Sequence, residues 1–257
     1  MPTDQEKLHY LDEIVRTRGY AHGSHRLLAN HDLDALKAVN DITLANYIPA
    51  RSLSEADKEL VLVGAFTALR SAPVIIRAHV QKSLKAGADL RQSLATIELT
   101  LLEAGRSALD AGLGAWREVA TAAGAPQAPP PRPNEGSSMS GTILDQHDPA
   151  VGAALAQLSA VIDHDSRGLD NRTRELVMTI ILMCVRATDE RIEAQMHRAL
   201  AAGATERDLL EAIELIITPA GLPVFDAGLS VWARVTGAKA LEPTIDAPHS
   251  RAPAARK

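Results

Sequence analysis

Residues 77–89 read RAHVQKSLKAGAD, and residues 193–205 read EAQMHRALAAGAT. The two stretches agree at Ala78/Ala194, Leu84/Leu200, Ala86/Ala202, Gly87/Gly203 and Ala88/Ala204. The agreement spreads outward in one register. DAGLGAWREV begins at Asp110 and DAGLSVWARV at Asp226, an offset of 116 residues that also joins His31-Asp32 to His147-Asp148 and Glu59-Leu60-Val61 to Glu175-Leu176-Val177. Arg70 pairs with Arg186, and Ile97-Glu98-Leu99 with Ile213-Glu214-Leu215, without a gap. Chance does not hold one register over that length, so the sequence predicts a duplicated unit. We place the copies at 22–123 and 138–238, joined by a Pro-rich linker over 124–137 (GAPQAPPPRPNEGS). Proline removes backbone donors and favours extended chain, as expected of a linker. Residues 1–21 form an N-terminal helical extension, with a helix over 4–18 whose stripe is Leu8, Leu11 and Val15. Residues 239–257 read as a flexible tail.

The 257 residues are 46% hydrophobic but only 3% aromatic, so Ala and Leu, both helix formers, supply the apolar surface. Runs with the alternation of a strand are not evident, and the expected fold class is all-α. The helix punctuation is consistent with this. Ser54 and Asp170 are candidate N-caps of two long apolar helices, and Pro73 suits a first helical turn. Thr188, Asp89 and Thr205 are further caps, while Gly87 and Gly203 end helices, as do Gly105 and Gly221. Each copy then reads as a bundle of five or six short helices.

A net charge of −5 gives no basic footprint for nucleic acid. The apolar runs LVLVGAFTAL (60–69) and LVMTIILMCV (176–185) are too short to cross a bilayer, so no membrane association is expected. MPTDQEKLHYLDEIV has no apolar core and does not read as a signal peptide. The single cysteine, Cys184, excludes a Cys-x-x-Cys pair and a zinc–thiolate cluster, and fits a cytoplasmic location.

The pattern of an apolar helix beginning Glu-Leu, then His79 with Gly87-Ala88 eight residues on, then Ala-Gly and a last helix, resembles the carboxymuconolactone decarboxylase / alkylhydroperoxidase-D (AhpD)-like family. AGLP at 220–223 belongs to the same family pattern, and the tandem arrangement with an N-terminal RGY…H…LA segment (18–29) resembles the longer two-copy members. The resemblance implies a duplicated AhpD-like helical bundle and a homo-oligomer, a homotrimer imitating a hexameric ring. The peroxidase branch of that family uses Cys-x-x-Cys-x-x-x-His. Its cysteine positions fall on Ala72 and Ile75 here, and on Thr188 and Arg191 in the second copy, so dithiol chemistry is not available. The decarboxylase branch needs no metal and no organic cofactor. It implies a lyase or isomerase of aromatic-compound catabolism, acting on a small carboxylated or lactone-type metabolite. The family histidine matches His79, and the family's upstream glutamate matches Glu59, with one residue more between them than usual. The second copy keeps Glu175 but has Gln195, which holds a hydrogen bond and exchanges no proton.

Each candidate also has a bland role. His79 lies beside Ile75, Ile76 and Ser83 on its helix and faces inward, as a general acid/base or as a core histidine with one hydrogen bond. Glu98, on a stripe of Leu94, Leu101 and Leu102, is an assisting carboxyl or half of a buried salt bridge, as is its counterpart Glu214; Arg70 and Arg186 are the candidate partners. Arg70 is alternatively a substrate-carboxylate anchor. Glu59 and Glu175 stand near helix starts, where the dipole alone favours them. Glu193 and His197 share one face but lack a third metal ligand, and His197 points outward. Trp116, Trp232, Asp110 and Asp226 read as packing and capping residues. His22, His25 and His31 form an N-terminal loop group able to line a pocket mouth. The rival to the lyase is a non-catalytic assembly or ligand-binding member of the family, and a weaker one is peroxide chemistry at Cys184.

Overall fold

A computed structural model describes residues 2–19, 21, 23–124, 149–162 and 168–239. The described residues hold thirteen α-helices and no strand. They are α1 (Asp4–Arg18), α2 (Gly23–His31), α3 (Leu33–Asn46), α4 (Glu55–Ala68), α5 (Pro73–Lys85), α6 (Leu90–Glu103) and α7 (Arg106–Ala122). After residues 125–148 come α8 (Pro149–Ile162), α9 (Asn171–Cys184), α10 (Asp189–Ala201), α11 (Glu206–Leu215), α12 (Ile217–Ala220) and α13 (Leu222–Thr236). The linker, the tail, His22 and His147-Asp148 lie wholly or almost wholly outside the described residues. No described helix is long and apolar enough to cross a membrane.

The helix boundaries follow the side chains that can satisfy free backbone N–H groups. Ser54 accepts from the Asp57 N–H, and Asp170 from the Thr173 N–H. Asp89 with Gln92, and Thr205 with Asp208, close reciprocal capping boxes at α6 and α11. Pro73 occupies the first turn of α5, where its missing N–H costs nothing. Thr188 stands at the N-cap of α10 without a side-chain cap bond.

At the centre lie α4 and α9, which are buried on nearly every face. They share a core of Leu60, Val61, Ala65, Leu176, Val177, Ile180 and Ile181. Gly64 allows the approach, because a Cβ there would sit 3.0 Å from Val177 Cγ1. A smaller cluster of Val63, Ile76, Val80, Ile97, Ala115 and Val119 binds α5, α6 and α7 to the outer side of α4. A third, built on Ile14, Ala29, Leu33 and Leu36, joins α1, α2 and α3. Here the expected stripe of α1 is corrected. Ile14 is buried with Tyr10 and Leu11 packed beside it, while Leu8 and Val15 are exposed.

Two features of the register decide the site. First, α6 runs unbroken, but its counterpart stops at Leu215 and resumes as the short α12. Pro219 explains the break: it cannot donate, and its ring would collide with the carbonyl four residues back, at Leu215. Second, the turn after α4 places Arg70 in the left-handed region (φ 52°), and the turn after α9 does the same to Arg186 (φ 57°). Arg70 Nη2 reaches the Ala104 carbonyl at 2.6 Å and Nε the Ser107 hydroxyl at 2.8 Å, tying the end of α6 to the start of α7. The two indoles match in the same way. Trp116 donates to the Leu90 carbonyl and Trp232 to the Glu206 carbonyl, each at 2.9 Å.

A buried ionic seam crosses from the first half to α11. Glu211, fully buried, forms an ion pair with Lys58 Nζ at 2.9 Å and accepts from the Ser52 and Leu53 N–H groups at 2.7 and 2.9 Å. Arg172 bridges Asp57 and Asp208, each at 3.0 Å. Burial pushes the Glu211 carboxyl up, but the N–H groups and Lys58 outweigh it and hold it below the usual carboxylate range.

Candidate active site

His79 lies mid-way along α5, on the face that also buries Ile76, Val80 and Ser83. That face packs on α4, which brings Glu59 across to it. His79 Nδ1 stands 2.7 Å from Glu59 Oε2, with both side chains almost wholly buried. Where Glu59 is ionised it can only accept, so this contact takes the tautomer with the proton on Nδ1. The ring is held flat against Phe66, with centroids 4.7 Å apart and planes 23° from parallel.

The other carboxylate oxygen, Glu59 Oε1, accepts from the Tyr47 hydroxyl. Lys82, one turn beyond His79, donates to that hydroxyl at 3.0 Å, lies 4.0 Å from Glu59 and covers the Tyr47 ring. Burial brings the Lys82 ammonium below its ordinary range, opposed by the Glu59 charge. Glu59 is thus a buried anion held by imidazole, phenol and ammonium, as a carboxylate in an apolar interior requires.

The imidazole forms part of the wall of a cavity of about 260 Å³. Leu62, Phe66 and Ile75 line it from α4 and α5, and Leu215, Thr218 and Pro219 from the broken α11–α12 segment. Arg18 and His25 reach it from α1 and α2. His25 therefore lines the cavity as expected, but from within a helix, whereas His31 is exposed at the end of α2. Asp32 is the N-cap of α3.

Other candidates lie elsewhere. Glu98 is half-buried on α6, outside the cavity lining. Arg70 is equally absent from that lining, being occupied with the Ala104 carbonyl and Ser107. Glu214 pairs with Arg51, not with Arg186 as the salt-bridge reading expected. Arg186 lines a separate cavity of about 160 Å³ beside Asp189 and Gly228. Glu193 lies 3.6 Å from Arg234 and His197 is exposed. Among the described residues no three His, Cys, Asp or Glu side chains gather as metal ligands. Sequence reasoning missed Tyr47, Lys82 and Arg18. The i, i+3 spacing of His79 and Lys82 was the one local signal.

At the position 116 residues on, the chemistry is different. Gln195 Nε2 donates to Glu175 Oε2 at 2.5 Å, and its oxygen accepts from Arg198 Nε at 3.0 Å. Glu175 also pairs with Arg174 at 2.6 Å. Where Ile75 lines the first cavity, Arg191 instead binds both oxygens of Glu103 at 2.7 Å. Cys184 is buried near the end of α9, and burial pushes its thiol up to about 12.

No curated protein matches the chain. The model of the carboxymuconolactone decarboxylase family matches residues 149–234, the segment that carries Glu175 and Gln195. The segment 149–234, in which the described regular elements are all helices, is thus similar to the carboxymuconolactone decarboxylase family.

Proposed function

We propose that this protein is a cofactor-free lyase or isomerase acting on a small carboxylated or lactone-type metabolite, with His79 as its proton-transfer group. The observation that carries the reading is the Glu59–His79 pair, set in the wall of a cavity and stacked on Phe66. The carboxylate partner orients the imidazole, a group able to take up and deliver a proton. In a decarboxylation, the bond from ring carbon to carboxylate breaks and carbon dioxide leaves. The electron pair left behind is drawn into the conjugated lactone, and the imidazolium of His79 delivers a proton to the ring carbon next to the lactone carbonyl, where that charge collects. Glu59 stabilises that imidazolium, and solvent restores the proton.

The second half takes a supporting part in this reading. Its Gln195 offers hydrogen bonds and exchanges no proton, and its Glu175 is paired with Gln195 and Arg174. We read the two halves as copies of one unit, since α3 to α5 and α8 to α10 begin and end 116 residues apart. Three such chains in a closed ring would present six equivalent units. A peroxidase role is disfavoured by the lone buried thiol of Cys184.

The test is to supply carboxymuconolactone in deuterated water and to follow the product by NMR. Deuterium taken into the ring of the decarboxylated product next to the lactone carbonyl, absent with His79→Ala, supports the reading. A folded His79→Ala protein that still forms this product overturns it.

A further inference from the structure

Lys82 stands one turn beyond His79 on α5, yet it is not among the residues that line the cavity. Its ammonium donates to the Tyr47 hydroxyl at 3.0 Å, sits 4.8 Å from the centre of the Tyr47 ring and lies 4.0 Å from Glu59 Oε1. An ammonium has donors and no lone pair, so the Tyr47 oxygen can only accept from it. The hydroxyl has one proton of its own, and that proton goes to Glu59 Oε1. The remaining oxygen, Oε2, faces His79 Nδ1 at 2.7 Å. The hydrogen bonds run one way, from Lys82 through Tyr47 to Glu59, and the carboxylate is held by both oxygens. The backbone of Tyr47 is fixed too. Its N–H donates to the Thr43 carbonyl at 3.0 Å, capping α3, and its carbonyl accepts from Lys58 Nζ at 3.3 Å.

We infer that Lys82 is a positioning residue for His79, acting through the Tyr47 hydroxyl and the Glu59 carboxylate. Its effect on turnover rests on the reading of His79 as the proton-transfer group; its effect on the His79 hydrogen bond does not. The last torsion of a glutamate is soft, so a carboxylate held at one oxygen can still swing. Holding Oε1 as well leaves Oε2 in one place, and with it the imidazole that it meets. The second half supports the assignment by contrast. Arg198, 116 residues on from Lys82, donates directly to Gln195 Oε1 at 3.0 Å and lies 3.6 Å from Glu175 Oε2. The residue 116 on from Tyr47 is Asp163, which lies outside the described residues. A cation stands at this position in both halves, but the phenol that relays it to the carboxylate belongs to the half that has the histidine.

The experiment is proton NMR of the full chain in water. A buried imidazole N–H bonded to a carboxylate is protected from exchange and resonates well downfield of the backbone amides. That signal is expected in the unaltered protein and is assigned to His79 by its loss in His79→Gln. Lys82→Met and Tyr47→Phe should broaden it beyond detection, and Lys82→Arg should restore it. With carboxymuconolactone, Lys82→Met should lower kcat about tenfold or more and leave KM within about twofold, because Lys82 does not line the cavity. Absence of the signal from the unaltered protein, or its survival in folded Lys82→Met, would overturn the inference. So would a raised KM with kcat unchanged, which would put Lys82 at the substrate. Should Lys82→Met fail to fold, Lys82→Gln takes its place. Glutamine offers an acceptor as well as donors, so the Tyr47 hydroxyl can reverse and the same loss is expected. The two readings fail separately. A His79 signal that depends on Lys82 in a protein without turnover refutes only the lyase; turnover with signal and kcat unchanged in Lys82→Met refutes only the positioning role.

Discussion

Replacing Glu211 by alanine should weaken this fold more than any change at the candidate site. The carboxylate is fully buried between the two halves; it pairs with Lys58 Nζ and accepts from the Ser52 and Leu53 N–H groups. Alanine strands all three. Lys58 keeps the carbonyls of Tyr47 and Pro49, at 3.3 and 2.5 Å, so its ammonium is not wholly abandoned. Breaking a buried pair by removing one member costs about 3–5 kcal/mol, and an orphaned N–H about 1–3 kcal/mol. These overlap, so a net loss of about 4 kcal/mol is expected, with the melting temperature on the order of 10 °C lower. Glu211→Gln keeps an acceptor for the N–H groups and should cost about half as much. The pH dependence has a definite sign. A carboxyl whose folded pKa is depressed stabilises the fold above its unfolded value, and that contribution fades as pH falls through and below the ordinary glutamate range. Urea denaturation at fixed protein concentration, at neutral pH and at a pH below the ordinary glutamate range, reads both effects. A loss under about 1 kcal/mol for Glu211→Ala, or a mutant gap that fails to narrow in acid, would refute the reasoning.

Other outcomes follow from the same geometry. Gly112→Ala would press a Cβ to 2.6 Å from Ile97 Cγ2 and 2.8 Å from Thr67 Cγ2, both on stiff β-branched residues, and should cost about 1–3 kcal/mol in a thermal melt. Gly228→Ala meets only the flexible end of Met183 and should cost less, even though its nominal approach is closer. Cys184 should react with a thiol reagent only as fast as the protein unfolds, given its burial and raised pKa, and Cys184→Ser should leave any peroxide consumption unchanged. Gln195→His should not create a second site. Glu175 is already committed to Arg174, and Arg191 is clamped on Glu103, so turnover per chain should rise by less than about twofold.

The helix ends were legible because capping is local. Ser54, Asp89, Asp170 and Thr205 each act within three residues of themselves, so sequence alone could place them. The face of α1 was not. Leu8, Leu11 and Val15 make as good a stripe as Tyr10, Leu11 and Ile14, and only docking against α2 and α3 selects the second. At the site, His79 and Glu59 were found through family resemblance, and the structure brings them to 2.7 Å. Tyr47 was invisible because its role depends on the turn after α3 folding back on α4. The pairing of Glu214 with Arg51 and the seam at Glu211 are long-range choices, which no local spacing encodes.

The central claim is that the Glu59–His79 pair moves the proton. The most direct measurement is the rate of carboxymuconolactone decarboxylation, followed by ultraviolet absorbance, in the unaltered protein, His79→Ala and Glu59→Gln, with folding checked by circular dichroism. General acid–base catalysis is worth about 10²–10⁴-fold, so His79→Ala should fall by at least about a hundredfold, with Glu59→Gln in between. A folded His79→Ala protein that turns over at the unaltered rate would contradict the account.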